Sequence, residues 1–268
     1  MRLAFSTLAC PAWSIARVAA AACEYGYEGV ELRLLDGRLI DGALPAAERE
    51  GVRKTLARAG LPIVALDSSV RVAAAPDAET ALSELRPMLE LASEWRSPFV
   101  RVFGGEWNGA RTRAEAVAQA RHVLAEAATA AEPLGVSILL ETHDRFASSS
   151  IVAEVLADLP ERAAALWDVG HTYRAGDDGG HVLRVLDGRI AHVHIKDARR
   201  RPGADDWELT LLGDGEVPVR SCIEALRSAG YDGWLSVEWE KRWHPELAEP
   251  EVALPQFAEM LRSWDVTP

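Results

Sequence analysis

Cysteine is scarce in this sequence, with three in 268 residues, and Cys10, Cys23 and Cys222 are too scattered for a disulfide framework or a thiolate metal site. Thiol chemistry is therefore not where function is sought. Positive charge is also scarce, because 29 Lys and Arg against 41 Asp and Glu leave a net charge of −12. That balance repels phosphate backbones and anionic lipid, so neither nucleic acid nor a membrane surface is an expected partner. The one basic run is Arg199, Arg200 and Arg201. No apolar run is long enough to span a bilayer, the alanine-rich stretch 16–23 being too short and too weakly apolar. Met1 to Thr7 lacks the layout of a secretion signal, which makes the cytoplasm the expected location. No GxGxxG follows the first apolar segment, which counts against a dinucleotide-binding sheet.

What is abundant is alternation. Apolar or period-2 segments at 3–7, 29–34, 62–69, 98–105, 137–143, 164–171, 190–197 and 233–241 read as eight strands. Amphipathic stretches near 14–25, 45–59, 78–95, 112–132, 149–158, 179–187, 217–229 and 250–263 read as eight helices between and after them. Eight βα units in a chain that is 49% hydrophobic predict an α/β fold, a (β/α)8 TIM barrel forming one domain over residues 1–268. The longest irregular stretch, 198–216, is expected to be an active-site loop.

In such a barrel, inward side chains near the carboxyl end of each strand face the site. The last four strands each end in an acid or an imidazole there: Glu141, Asp168, His194 and Glu238. Three carboxylates and a histidine converging on one point would repel and be desolvated at great cost unless a cation neutralised them, so a shared divalent metal is expected. Three oxygens and one nitrogen suit Mn²⁺ or Mg²⁺, with Co²⁺ or Zn²⁺ also compatible. Glu31, Arg33 and Arg101 on early strands read as packing or ion-pairing groups, and His192, one pleat deeper than His194, as either a core histidine or a partner of the ligands. Around the cluster, His143 shares a face with Glu141, and His171 either contacts a substrate hydroxyl or caps its loop. Lys196, Arg199 and Arg200 either bind a substrate oxygen or are solvated.

These residues sit in "YGYEGVELR", "ETHD", "WDVGH", "HVHIKD", "LGDGEVP" and "VEWEKRW", which together, in this order, resemble the xylose isomerase-like barrel superfamily and its sugar phosphate isomerase/epimerase branch. The resemblance implies that Glu141, Asp168, His194 and Glu238 ligate one divalent ion. It also implies that Glu141 and Glu238 act as acid and base, and that His171 and one of Arg199 and Arg200 touch substrate. The abasic-site endonucleases of the same superfamily have further histidine ligands, whereas here no histidine precedes His122 and the segment before the glycine motif reads "WELTLLGDG". The first expectation is a metal-dependent isomerase or epimerase of a ketose or related polyhydroxy carbonyl, working through a cis-enediolate. The alternative is a metal-dependent dehydratase of an inosose or dehydroshikimate type substrate, and the third a non-catalytic sugar-binding barrel. The partner is expected to be a small sugar or polyol-derived ketone, with homo-oligomerisation left open.

Overall fold

The computed structural model describes residues 1–107, 111–201, 203 and 206–264. Eight strands, β1 (Arg2–Ser6), β2 (Gly29–Leu32), β3 (Ile63–Arg71), β4 (Phe99–Phe103), β5 (Ser137–Glu141), β6 (Ala163–Asp168), β7 (Ile190–Ile195) and β8 (Trp234–Val237), pair in sequence and close into a barrel. The closing pair is parallel, with Leu3 opposite Leu235 and Phe5 opposite Val237. Between the strands run α1 (Ile15–Tyr25), α2 (Ala46–Arg58), α3 (Ala78–Trp95), α4 (Arg113–Ala131), α5 (Ser149–Leu156), α6 (Gly179–Val185) and α7 (Val219–Ser228), with α8 (Pro250–Ser263) last. This is the expected (β/α)8 barrel.

Local chemistry sets the helix ends. The Ser14 hydroxyl accepts from the Arg17 amide to start α1, the Asp77 carboxylate accepts from the Thr80 amide to start α3, and Thr112 with Glu115 forms a reciprocal capping box on α4. Outward strand residues such as Leu3, Phe5, Val193, Ile195 and Val237 join helix residues such as Leu85, Leu124, Ile223 and Phe257 in one buried apolar layer. The inner face is different: Glu31, Asp67, Arg101, Glu141, Asp168, His192 and His194 are all buried there.

Three local features depart from the expected pattern. The segment after Asp168 is a short helix, Val169–Arg174, because the Asp168 side chain accepts from the His171 amide and caps it. Leu34–Leu35 and Arg38–Leu39 form a small antiparallel pair. The stretch expected to be irregular contains a second hairpin, Asp197–Arg200 against Trp207–Thr210, with residues 202, 204 and 205 outside the described ones. Asp197 ties this excursion to the barrel, its carboxylate accepting from the amides of Ala198, Gly213, Gly215 and Val217 at 2.8–3.2 Å. Among the described residues no helix is long and apolar enough to cross a membrane.

Candidate active site

The parallel register puts the carboxyl-terminal residues of β5 to β8 at one level. Asp168 lies directly opposite His194 across β6 and β7, and His194 opposite Ser236, two residues before Glu238. One potential ligand atom from each of Glu141, Asp168, His194 and Glu238 falls within 4.8 Å of all the others. His194 Nδ1 stands among them, 3.4 Å from Glu141 Oε1, 3.5 Å from Glu238 Oε2 and 3.8 Å from Asp168 Oδ2. Those separations are too long for good hydrogen bonds.

The donor set has free valence to match. Glu141 Oε1 and His194 Nδ1 are buried and make no hydrogen bond, while Glu141 Oε2 and Asp168 Oδ2 have only ion pairs, an arrangement costly for groups of this polarity unless something else is coordinated there. Three carboxylates and one imidazole nitrogen fit a divalent ion of hard or borderline character.

Cations of the chain compensate part of the acid charge. Arg101 from β4 lies 3.2 Å from Glu141 and 3.6 Å from Asp67. Lys196, just past β7, sits 3.0 Å from Asp168 and 2.7 Å from Glu240, and it contacts Glu238 directly. Gly170 makes room for it, since a Cβ there would lie 2.7 Å from Lys196 Cγ. This explains the glycine of "WDVGH".

Electrostatics separates the acids. Burial pushes the Glu141 carboxyl up, but Arg101 and His194 together outweigh it and the net shift is downward. Burial likewise raises Glu238, and Lys196 and His194 overcome it, holding this carboxyl well below the usual range. Asp168 is raised to about 6, by burial and by Glu238 and Glu141, against the pull of Lys196. Burial, Lys196 and His143 hold the His171 imidazole well below its ordinary value, so it is neutral near pH 7.

The outer candidates divide. His143 and His171 meet edge to face with ring centres 4.3 Å apart beside Glu141, and His171 Nε2 lies 3.3 Å from the Lys196 ammonium, so both belong to the mouth of the cluster. Arg199 and Arg200 do not join it. Arg199 pairs with Glu208 across the hairpin at 2.6 Å, and the Arg200 guanidinium stacks 5.4 Å from the Trp207 ring centre. Arg199 and Trp207 instead line a cavity of about 450 Å³ between the hairpin and residues 239–248, which also reaches His171 and Glu240. Asp67 is the buried acid that sequence reasoning passed over. Its signal was the inward position within "PIVALDSS", and its partner Arg101 lies on another strand.

A family model for the xylose isomerase-like TIM barrel matches residues 19–264. The chain belongs to that family. Among curated proteins, the inosose dehydratase of Geobacillus thermodenitrificans is 37% identical over 109 residues, covering 35% of this chain and 36% of that protein. The chain spans about a third of the length of the curated relatives it matches. Among solved structures, the IolI protein with a binding zinc atom superimposes with a TM-score of 0.79 at 21% identity, covering 99% of this chain and 98% of that one. The probable 3-DHS dehydratase AsbF from Bacillus anthracis gives 0.77 at 19% identity, over 98% and 99%. At these identities the structural likeness shows the fold.

The sequence matches correct the expected reaction class. An isomerase or epimerase was the first expectation, and the curated relatives are inosose dehydratases, so the similarity backs the dehydratase alternative over it. The reason is chemical: removing a proton next to a carbonyl opens isomerisation, epimerisation and elimination alike, so a cluster of acids and an imidazole does not by itself choose among them.

Proposed function

We propose that this protein is a metal-dependent dehydratase that eliminates water from a small polyhydroxy ketone of the inosose class. The observation that carries the reading is the sequence similarity to inosose dehydratases, which falls on a chain whose Glu141, Asp168, His194 and Glu238 lie within 4.8 Å of one another. These four would hold one divalent ion, with Mn²⁺, Mg²⁺, Co²⁺ and Zn²⁺ all compatible with the donor set. When bound, the ion supplies Lewis-acid polarisation of the ketone, which acidifies the adjacent C–H.

The chain's own groups do the rest. Glu141 or Glu238, both held ionised, takes the proton from the carbon next to the carbonyl. The electron pair of that C–H bond forms the C=C bond as the C–O bond on the next carbon breaks. The departing hydroxyl takes up the proton that this carboxyl group has just removed and leaves as water, so no proton is gained or lost overall. Lys196 and His171, 3.3 Å apart at the mouth, would support that departure by hydrogen bonding. His143 lies beside them and would contact a further hydroxyl.

The test is incubation of the protein with an inosose and Mn²⁺ in D₂O, followed by NMR. Elimination gives a new alkene or enol signal with loss of one water. Deuterium entering an α carbon with inversion, and no loss of water, would sink the dehydratase reading.

A further inference from the structure

One pleat deeper than the acid cluster, Glu31 of β2 reaches across the barrel to both histidines of β7. Its Oε2 lies 2.6 Å from His192 Nε2, while its two oxygens lie 3.0 and 3.1 Å from His194 Nε2. All three side chains are 0% exposed. The pairing of β2 with β3 slips between Val30 and Glu31, a bulge of the kind that re-aims a side chain.

An ionised carboxylate only accepts hydrogen bonds, and a neutral imidazole carries one donor and one acceptor nitrogen. His194 Nε2, facing two Glu31 oxygens, is therefore the donor. Its Nδ1, facing Glu141, Asp168 and Glu238 without a hydrogen bond, is then the nitrogen whose lone pair a bound cation would take. His192 grips Glu31 from the other side and keeps the carboxylate in place.

We propose that Glu31 is a positioning residue that fixes the proton of His194 on Nε2 and so presents Nδ1 to the metal. The inference rests on the metal reading given above and extends it to a residue outside the four ligands. A second ion held by Glu31, His192 and His194 is the competing arrangement. The geometry disfavours it, because the 2.6 Å contact is closer than ligand atoms stand around an ion with bonds of about 2.0–2.2 Å. Hydrogen-bonded partners of metal-bound histidines typically contribute about 10–100-fold to metal affinity.

The experiment measures Zn²⁺ stoichiometry and affinity by chelator competition for the wild type, Glu31→Gln and Glu31→Ala. One ion per chain is expected throughout, with affinity weakened roughly tenfold in Glu31→Gln and up to about 100-fold in Glu31→Ala. Equal affinity in all three would overturn the inference alone. Two ions in the wild type and one in the variants would overturn it by making Glu31 a direct ligand. A wild type that binds no zinc would overturn the metal reading and this inference together. A second measurement needs no variant: in zinc-loaded protein labelled with ¹⁵N-histidine, the His194 proton is expected on Nε2, shifted to low field by its carboxylate acceptor. Metallation at Nε2 would refute the assignment.

Discussion

Glu141 and Glu238 approach the same imidazole nitrogen from β5 and from the end of β8, at 3.4 and 3.5 Å, and each is held ionised by a different cation, Arg101 or Lys196. Glu141→Gln and Glu238→Gln keep the shape of the side chain and remove its basicity. Steady-state kinetics on the true substrate is expected to show that at least one of them loses about 10²–10⁴-fold in kcat, the usual contribution of positioned proton transfer. Near-native rates in both would remove the carboxylates from the chemistry. Arg101 makes a different prediction. It is 1% exposed and compensates two buried acids, so Arg101→Leu leaves Asp67 and Glu141 unpaired. Denaturant unfolding is expected to show a loss of about 3–5 kcal/mol. At this scale the sequence was readable where polarity recurs at strand ends, as in "HVHIKD". It was unreadable where a partner is far along the chain: nothing local joins Glu31 to His192, 161 positions away, or Asp67 to Arg101.

The elements themselves were legible because their signals are local. Period-2 and period-3.6 patterns placed all eight barrel strands and all eight long helices, and caps such as Asp77 mark the ends. The short helix at Val169–Arg174 was hidden because its cap, Asp168, is also the last residue of a strand. The hairpin at Asp197–Arg200 was hidden because charged residues dominate it, and its order comes from amides that return to Asp197 from 213, 215 and 217. The α3 cap gives a pH prediction. Asp77's carboxyl is held below its ordinary value by bonds from the Thr80 amide and hydroxyl. A carboxylate with a depressed folded value stabilises the fold above its unfolded value and loses that contribution as pH falls through the folded one. Asp77→Ala is therefore expected to lower Tm at neutral pH, and the gap from wild type to shrink as pH falls below roughly 4. A gap that does not change with pH would mean the charge is irrelevant to the cap. On the hairpin, Arg199 pairs with Glu208 among the described residues and is half exposed, so Arg199→Ala should barely move Tm. A fall in kcat/KM for Arg199→Ala and Arg200→Ala together would then report contact with substrate through the cavity that Arg199 lines.

For the whole molecule, the decisive quantity is how the barrel tolerates its acids. The chain carries a net charge of −12, and three of its carboxylates, Glu141, Asp168 and Glu238, crowd around one imidazole inside the barrel. Arg101 and Lys196 offset part of that charge, yet Glu141 Oε1 and His194 Nδ1 still lack hydrogen bonds. A divalent ion bound by the folded barrel and not by the unfolded chain stabilises it by mass action, by about 2.7 kcal/mol when its free concentration is 100 times Kd. For a chain of this size that corresponds to a rise in Tm of roughly 5–10 °C. The expected result is therefore a lower Tm after EDTA and dialysis, restored by Mn²⁺ or Zn²⁺ but not by Na⁺ at equal ionic strength. Asp168→Ala and His194→Ala should lose the metal-dependent increment, because each removes a donor from the set; Asp168→Ala also removes the cap of Val169–Arg174, so each variant is compared with itself with and without metal. Recovery with any salt would mean that simple screening relieves the acids. A melting curve indifferent to chelator and metal alike, in a wild type first shown to be metal-free, would mean that Arg101 and Lys196 already neutralise the cluster and that these four side chains hold no ion.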